Sequence, residues 1–161
     1  MKHILIVQHS RTGGARSMAE AAAEAARAEA TVVMKRAADA EAADLLAASG
    51  YLFAAPENLA SLTGEMKEFF DRCYYPALGR IEGRPYAQMI CSGSDGSGAA
   101  RQLARIATGW RLREVQPALI VITGAQTPEA IAAEKRLAAA DLERCAELGA
   151  ALAAGVALGV F

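Results

Sequence analysis

Short apolar runs rich in β-branched residues alternate with amphipathic stretches along this chain, and few folds accept that order. His3 to Val7 reads as a strand buried on both faces, because its apolar residues are continuous and turn residues bound the run. Arg16 to Glu29 then follows a helical period: Glu20, Glu24 and Arg27 share one face, with Met18, Ala22 and Ala26 away from it. Thr31 to Met34 is a second strand, Asp39 to Ala48 a short helix, and Gly50 to Ala55 a third strand that Pro56 ends. Glu65 to Tyr74 aligns Met66, Phe69, Phe70 and Cys73 in one stripe, as a helix covering a sheet would. Tyr86 to Cys91 is a fourth strand, followed by a helix that stops at Gly109, and Ala118 to Thr123 is a fifth strand. Thr127 as N-cap and Pro128 at the first helical position predict one long final helix whose Leu137, Leu148 and Leu152 pack inward.

Five strands alternating with five helices, without internal repeat or low-complexity linker, imply an α/β domain: a doubly wound parallel sheet in a three-layer α/β/α arrangement. At 161 residues the expectation is a single domain over 1–161. A net charge of −1 offers no basic field for nucleic acid and no acidic field for a cationic protein. Alanine supplies much of the 53% hydrophobic content, and no apolar stretch is long enough to span a bilayer. Met1 to Gln8 is too short and too lightly charged for a secretory signal, so a cytoplasmic protein without membrane contact is expected. Cys73, Cys91 and Cys145 lie far apart with no CxxC pairing, which points to reduced, mostly buried thiols and to no zinc site. Cys91, ending an apolar strand beside a glycine-rich loop, also admits a redox reading.

In an open α/β sheet, ligands bind beyond the carboxyl ends of the strands where the winding reverses, so the loops after strands one, three and four should converge. All three are unusual. In HSRTGGAR, Ser10 and Thr12 offer hydroxyls, Gly13 and Gly14 permit close backbone approach, and the next helix presents free amides. Arg16 in the first helical turn opposes the helix dipole, a placement that makes sense beside an anion, and Arg11 stands at the loop tip. Two readings fit: a phosphate cradle, or an ordinary turn with Arg16 paired to Glu20. There is no GxxxxGK[ST] and no GxGxxG, and strand two ends in Lys35 and Arg36 where a dehydrogenase needs an acid for the ribose. Neither a nucleoside triphosphatase nor a Rossmann dehydrogenase is indicated. A receiver domain would need carboxylates where His9, Ser10 and Pro56, Glu57, Asn58 stand.

HSRTGGARSMA, APENLASLTGEMKEFFDRCYYPA and CSGSDGSGAARQLARIATGW together resemble the flavodoxin-like flavoprotein superfamily, on its NAD(P)H-dependent FMN reductase and quinone reductase branch. The likeness runs from strand one to about Gly109. It implies a five-stranded sheet in the order 2-1-3-4-5 and FMN as cofactor. The first loop is similar to the S-x-T-G-x-T phosphate motif, carried by Ser10, Thr12, Gly13 and Gly14, with Ala15 replacing a hydroxyl. By the same resemblance, Pro56, Glu57, Asn58, Leu59 and Ser61 lie along the isoalloxazine edge. Ser92, Gly93, Ser94, Asp95 and Gly96 would close over its other side; read from the residues alone, that loop is equally a flexible connection with Ser97 as helix cap.

Single-electron flavodoxins tend to be strongly acidic and to sandwich the ring between aromatics. ENLASL and SGSDGSG hold no Trp, Tyr or Phe. An open ring face suits hydride transfer from NAD(P)H and onward to a quinone or another small acceptor, so an enzyme is expected ahead of an electron carrier or a non-catalytic binding protein of the same fold. No side chain is required as acid or base. His9 is read as a structural hydrogen-bonding residue, Tyr74, Tyr75 and Trp110 as packing residues, and a homodimer follows from the reductase resemblance alone.

Overall fold

The computed structural model describes residues 2–161, and its centre is a twisted, mostly parallel sheet whose strands alternate side chains between two helical layers. Strands β1 (His3–Gln8), β2 (Thr31–Arg36) and β3 (Gly50–Asn58) pair in parallel, with β1 in the middle. β5 (Pro85–Ser92) continues the sheet beyond β3. The next position is shared by two short parallel segments, β6 (Arg113–Glu114) against Pro85 and Tyr86, and β7 (Leu119–Ile122) against Met89 to Ser92. Pro117, without an N–H, lies between them. With β6 and β7 counted as one strand, the order is the expected 2-1-3-4-5. The addition is β4 (Ser61–Leu62), which folds back antiparallel on the end of β3.

Period-two alternation assigns the two faces. Ile4, Ile6, Leu52, Ala54, Ala87 and Met89 face helices α1 (Gly14–Ala26) and α6 (Ala139–Leu158). Leu5, Val7, Tyr51, Phe53 and Ile90 face α2 (Ala42–Ala47), α3 (Gly64–Ala77) and α4 (Ser97–Gly109). The alanine content has a packing role here: Ala15, Ala19, Ala22, Ala23 and Ala26 are all buried on α1. They let α6 approach so closely that a Cβ on Gly149 would lie 2.7 Å from the Cα of Ala22. The opposite layer is aromatic, with Phe53 edge-on to Phe70 at 5.2 Å and Trp110 buried against Tyr74, whose carbonyl accepts the indole N–H at 2.9 Å. Tyr75 stays exposed.

Three sequence expectations are corrected. β3 does not end at Pro56 but runs to Asn58, because β1 has already stopped at the Gln8–Ala54 pairing. Beyond that point β3 has a neighbour on one side only, where a missing N–H is tolerated. The single long final helix is two: α5 (Pro128–Ala132), capped by the Thr127 hydroxyl, and α6, separated by an extended stretch holding Leu137. Ser97 does not cap α4; Gly96, at φ 86°, is the N-cap and Asp95 receives the Ser97 amide and hydroxyl. The C-terminal apolar stretch folds into the chain's own core through Leu148, Leu152 and Val156.

Candidate functional site

The first loop is shaped by two local bonds. The Gly13 amide donates to Ser10 Oγ at 2.9 Å, and the Ser17 hydroxyl donates back to the Gly13 carbonyl at 2.9 Å. Gly13 sits at φ 97°, left-handed backbone that glycine adopts without a Cβ penalty, and no side chain caps α1. The amides of Gly14, Ala15 and Arg16 therefore reach the loop without intrahelical or side-chain acceptors, at the positive end of a 13-residue helix. A Cβ on Gly14 would stand 2.6 Å from Cys91 Sγ, so only glycine lets the loop sit down on β5. Ala15 is buried, so the hydroxyl missing from the motif would lie in the α1 packing face. This is a cradle of phosphate size and chemistry.

The second and third loops are joined by one carboxylate. Glu57 Oε1 accepts from the Gly96 amide at 2.9 Å and the Ser92 hydroxyl at 3.2 Å, while Oε2 accepts from the Ala99 amide at 3.0 Å. Glu57 thus caps α4 from another strand, a role that no local pattern in the chain marks. Between Asn58 and Ser61 the chain reverses through Leu59 and Ala60, at φ 52° and 60°. Left-handed conformation at two consecutive non-glycine residues costs on the order of 1–2 kcal/mol each. The tip is held by α4: a Cβ on Gly98 would collide with the Ala60 carbonyl, and the Leu62 amide donates to Gln102 Oε1 at 2.7 Å.

These loops meet around one cavity of about 80 Å³, lined by Arg11 and Thr12, by Pro56, Glu57 and Asn58, and by Cys91, Ser92 and Gly93. Its remaining wall comes from residues after β7: Thr123, Ala125, Ile131 and Lys135. Seven of the anticipated residues therefore surround one space. Ser10, Gly13, Gly14 and Ala15 form the loop beneath it.

The others stand apart from it. Arg16 extends along α1 with Nε 3.8 Å from Glu20, and borders a separate cleft with His9, Arg36 and Glu65. Leu59 is 92% exposed at the hairpin tip, and the Ser61 hydroxyl donates to the Leu62 carbonyl. Ser94 and Asp95 face solvent, and Gly96 is buried against Ile120. The Ser97 hydroxyl and amide hold the Asp95 carboxyl below its ordinary range. His9 makes the structural contact expected of it, through Nδ1 to Glu65. Burial pushes the Cys91 thiol up despite the opposing charge of Lys135, so Cys91 is a protonated wall residue at neutral pH.

A family profile for NADPH-dependent FMN reductase matches residues 1–127. The chain belongs to that family, and its cofactor is FMN. A flavodoxin of Aquifex aeolicus (strain VF5) is 35% identical over 100 residues, which span 61% of this chain and 54% of that protein. The chain thus matches about half the length of that relative. A flavodoxin from the domain Archaea superposes with a TM-score of 0.78 at 18% identity, covering 96% of this chain and 98% of that one, and shows the fold. A WrbA-like flavodoxin from Agrobacterium tumefaciens gives 0.70 at 25% identity, covering 99% of each chain. No helix among the described residues is long and apolar enough to cross a membrane.

Proposed function

We propose that the chain is an NAD(P)H-dependent oxidoreductase in which bound FMN receives hydride from the nicotinamide and passes the electrons to a quinone or other small acceptor. In this reading Ser10, Thr12, Gly13, Gly14 and Ala15 hold the phosphate through hydroxyls and first-turn amides, with Arg11 balancing its charge. Arg16 adds its charge from the flank of α1. Pro56, Glu57, Asn58, Leu59 and Ser61 lie along one ring edge, and Ser92, Gly93, Ser94, Asp95 and Gly96 along the other. The chain's own contribution is orientation and electrostatics: the Glu57 bridge fixes both edges relative to one another, and backbone donors stabilise charge on the reduced ring. No acid or base is assigned.

One observation carries the choice of enzyme over carrier: among the described residues no aromatic side chain lines the cavity, and the hairpin tip beside it is Leu59 and Ala60. A ring left unstacked on one face can take a nicotinamide at transfer distance. The test is colour. FMN-loaded protein, held without oxygen, should bleach on adding NADPH alone and regain its absorbance with a quinone. Bleaching that requires a separate reductase identifies an electron carrier. A homodimer is part of the same proposal, checked by light scattering.

A further inference from the structure

Residues 123–138 connect β7 to α6 and cross the mouth of the first loop as a strap. Its contact with that loop is concentrated in Lys135. The Lys135 amide donates to the Thr12 carbonyl at 2.8 Å, and Nζ lies 3.3 Å from Thr12 Oγ1. The same ammonium donates to the carbonyls of Ala130 and Ile131 at 2.9 Å and of Ala133 at 2.6 Å. An ammonium has three protons and here has four acceptors, all of them uncharged oxygens. Among the described residues no carboxylate forms an ion pair with Lys135, nor with Arg11. Two unneutralised cations therefore flank Thr12, beside the uncapped amides of α1.

The strap also sets the size of the space. About 80 Å³ admits two or three waters, whereas cofactor pockets typically offer on the order of 300 Å³ or more. Like Arg11 and Thr12, Ile131 and Lys135 line the space from outside the sheet, but they belong to the strap, which no sheet strand anchors between residues 125 and 138. Its α5 is a single short turn with no buried residue.

We propose that Lys135 is a ligand of the FMN phosphate, and that through this contact the 123–138 strap closes on the first loop in response to the phosphate and not to the ring. The proposal rests on the FMN reading of the cavity. A phosphate at Thr12 offers Nζ charged oxygens in place of neutral carbonyls, and hydrogen bonds to charged partners are about twice as strong. The strap is then the element that distinguishes FMN from its dephosphorylated form. Lys135 lies 123 positions from Thr12 in sequence, and nothing in the loop motif points to it.

The test compares flavins with and without the phosphate. Apoprotein is titrated with FMN and with riboflavin by flavin fluorescence, for the wild type, Lys135→Met and Lys135→Arg, with circular dichroism confirming that each is folded. Lys135→Met should weaken FMN about tenfold or more and change riboflavin less than about twofold, with Lys135→Arg recovering most of the loss. Trypsin provides a readout independent of affinity: saturating FMN should slow cleavage after Arg136 in the wild type, and saturating riboflavin should not. Equal weakening of both flavins by Lys135→Met, or equal protection by both, overturns the proposal and leaves Lys135 as a cap for α5. Wild-type protein that binds neither flavin overturns the FMN reading itself, and this proposal with it.

Discussion

Replacing Glu57 by Gln tests whether the second and third loops are held by a carboxylate or merely by packing. The two oxygens of Glu57 accept from different backbone amides, Gly96 on Oε1 and Ala99 on Oε2. Glutamine keeps one acceptor and turns the other into a donor, so in either orientation one amide faces an NH₂ group. The loss is one charge-assisted bond, about 1.5–3 kcal/mol, together with the carboxylate's interaction with the α4 dipole, about 0.3–1 kcal/mol. Together these predict a loss of about 2–4 kcal/mol. For a domain of this size each kcal/mol moves the midpoint by about 2–4 °C, so Tm should fall by roughly 4–16 °C. Urea unfolding followed by circular dichroism gives the free energy, and hydrogen exchange gives its location. Exchange should quicken at Gly96 and Ala99 well before it changes in β1. A Glu57→Gln protein within about 0.5 kcal/mol of wild type, with those amides still protected, would show that the loops are positioned by α4 packing on the hairpin and that the carboxylate is incidental.

Further perturbations reach the core, the loop and the titrating groups. Gly149→Ala pushes a methyl into the backbone of Ala22, so α1 and α6 must separate; a loss of about 2 kcal/mol or more is expected in urea unfolding, and a neutral result would refute the close contact. Gly14→Ala meets Cys91 Sγ at 2.6 Å and should weaken FMN in fluorescence titration more than it lowers Tm, because the first loop lifts from β5. Burial pushes the Tyr86 hydroxyl up to about 12 and the Cys145 thiol to about 11, against ordinary values of 10.0 and 9.0. Both folded values are raised, so their stability is fully present below about pH 9 and is lost as pH climbs towards 12. At about 1.4 kcal/mol per unit, each group costs about 2–3 kcal/mol when its titration is complete. Urea midpoints should fall between pH 9 and 11 in the wild type and fall less in Cys145→Ala; a flat profile would contradict the burial. Cys73 and Cys145 are buried away from the cavity, so a thiol reagent at neutral pH should label them only on unfolding.

What the sequence made legible was periodic or local. The β1 and β3 alternation places Ile4 and Ile6 on one face and Tyr51 and Phe53 on the other, and a residue's side of a sheet follows from counting by two. The first loop was readable for the same reason: Ser10, Gly13 and Gly14 act on their own neighbours, within three or four positions. The illegible parts are those in which a distant partner overrides local preference. Thr127 and Pro128 begin a helix as their chemistry dictates, yet it ends after Ala132 because Lys135 gives its amide to Thr12 and its ammonium to the helix's last carbonyls. Glu57 reads as a loop acid until α4 arrives beside it. Leu59 and Ala60 turn without glycine or asparagine, which no turn rule anticipates, and they do so where Gly98 brings α4 against the tip.

Those exceptions all lie at the same end of the sheet, and that has a consequence for how the site works. A first loop held by its own hydrogen bonds is preformed, so a phosphate bound there would require little reorganisation. The second and third loops are coupled to each other through Glu57, so they move as one body or not at all. The strap meets the first loop through Lys135 and carries no buried side chain on α5, while its first two residues, Thr123 and Gly124, give their amides to the Ser92 and Gly93 carbonyls at 2.8 and 2.9 Å. A phosphate at Thr12 would therefore act on the strap at its Lys135 end, while the Thr123 end stays with the third loop. Shortening the strap by deleting Pro128 to Ala132 should raise riboflavin binding relative to FMN and speed release of both, measured by stopped-flow dilution. An unchanged FMN-to-riboflavin ratio would place discrimination entirely in the first loop.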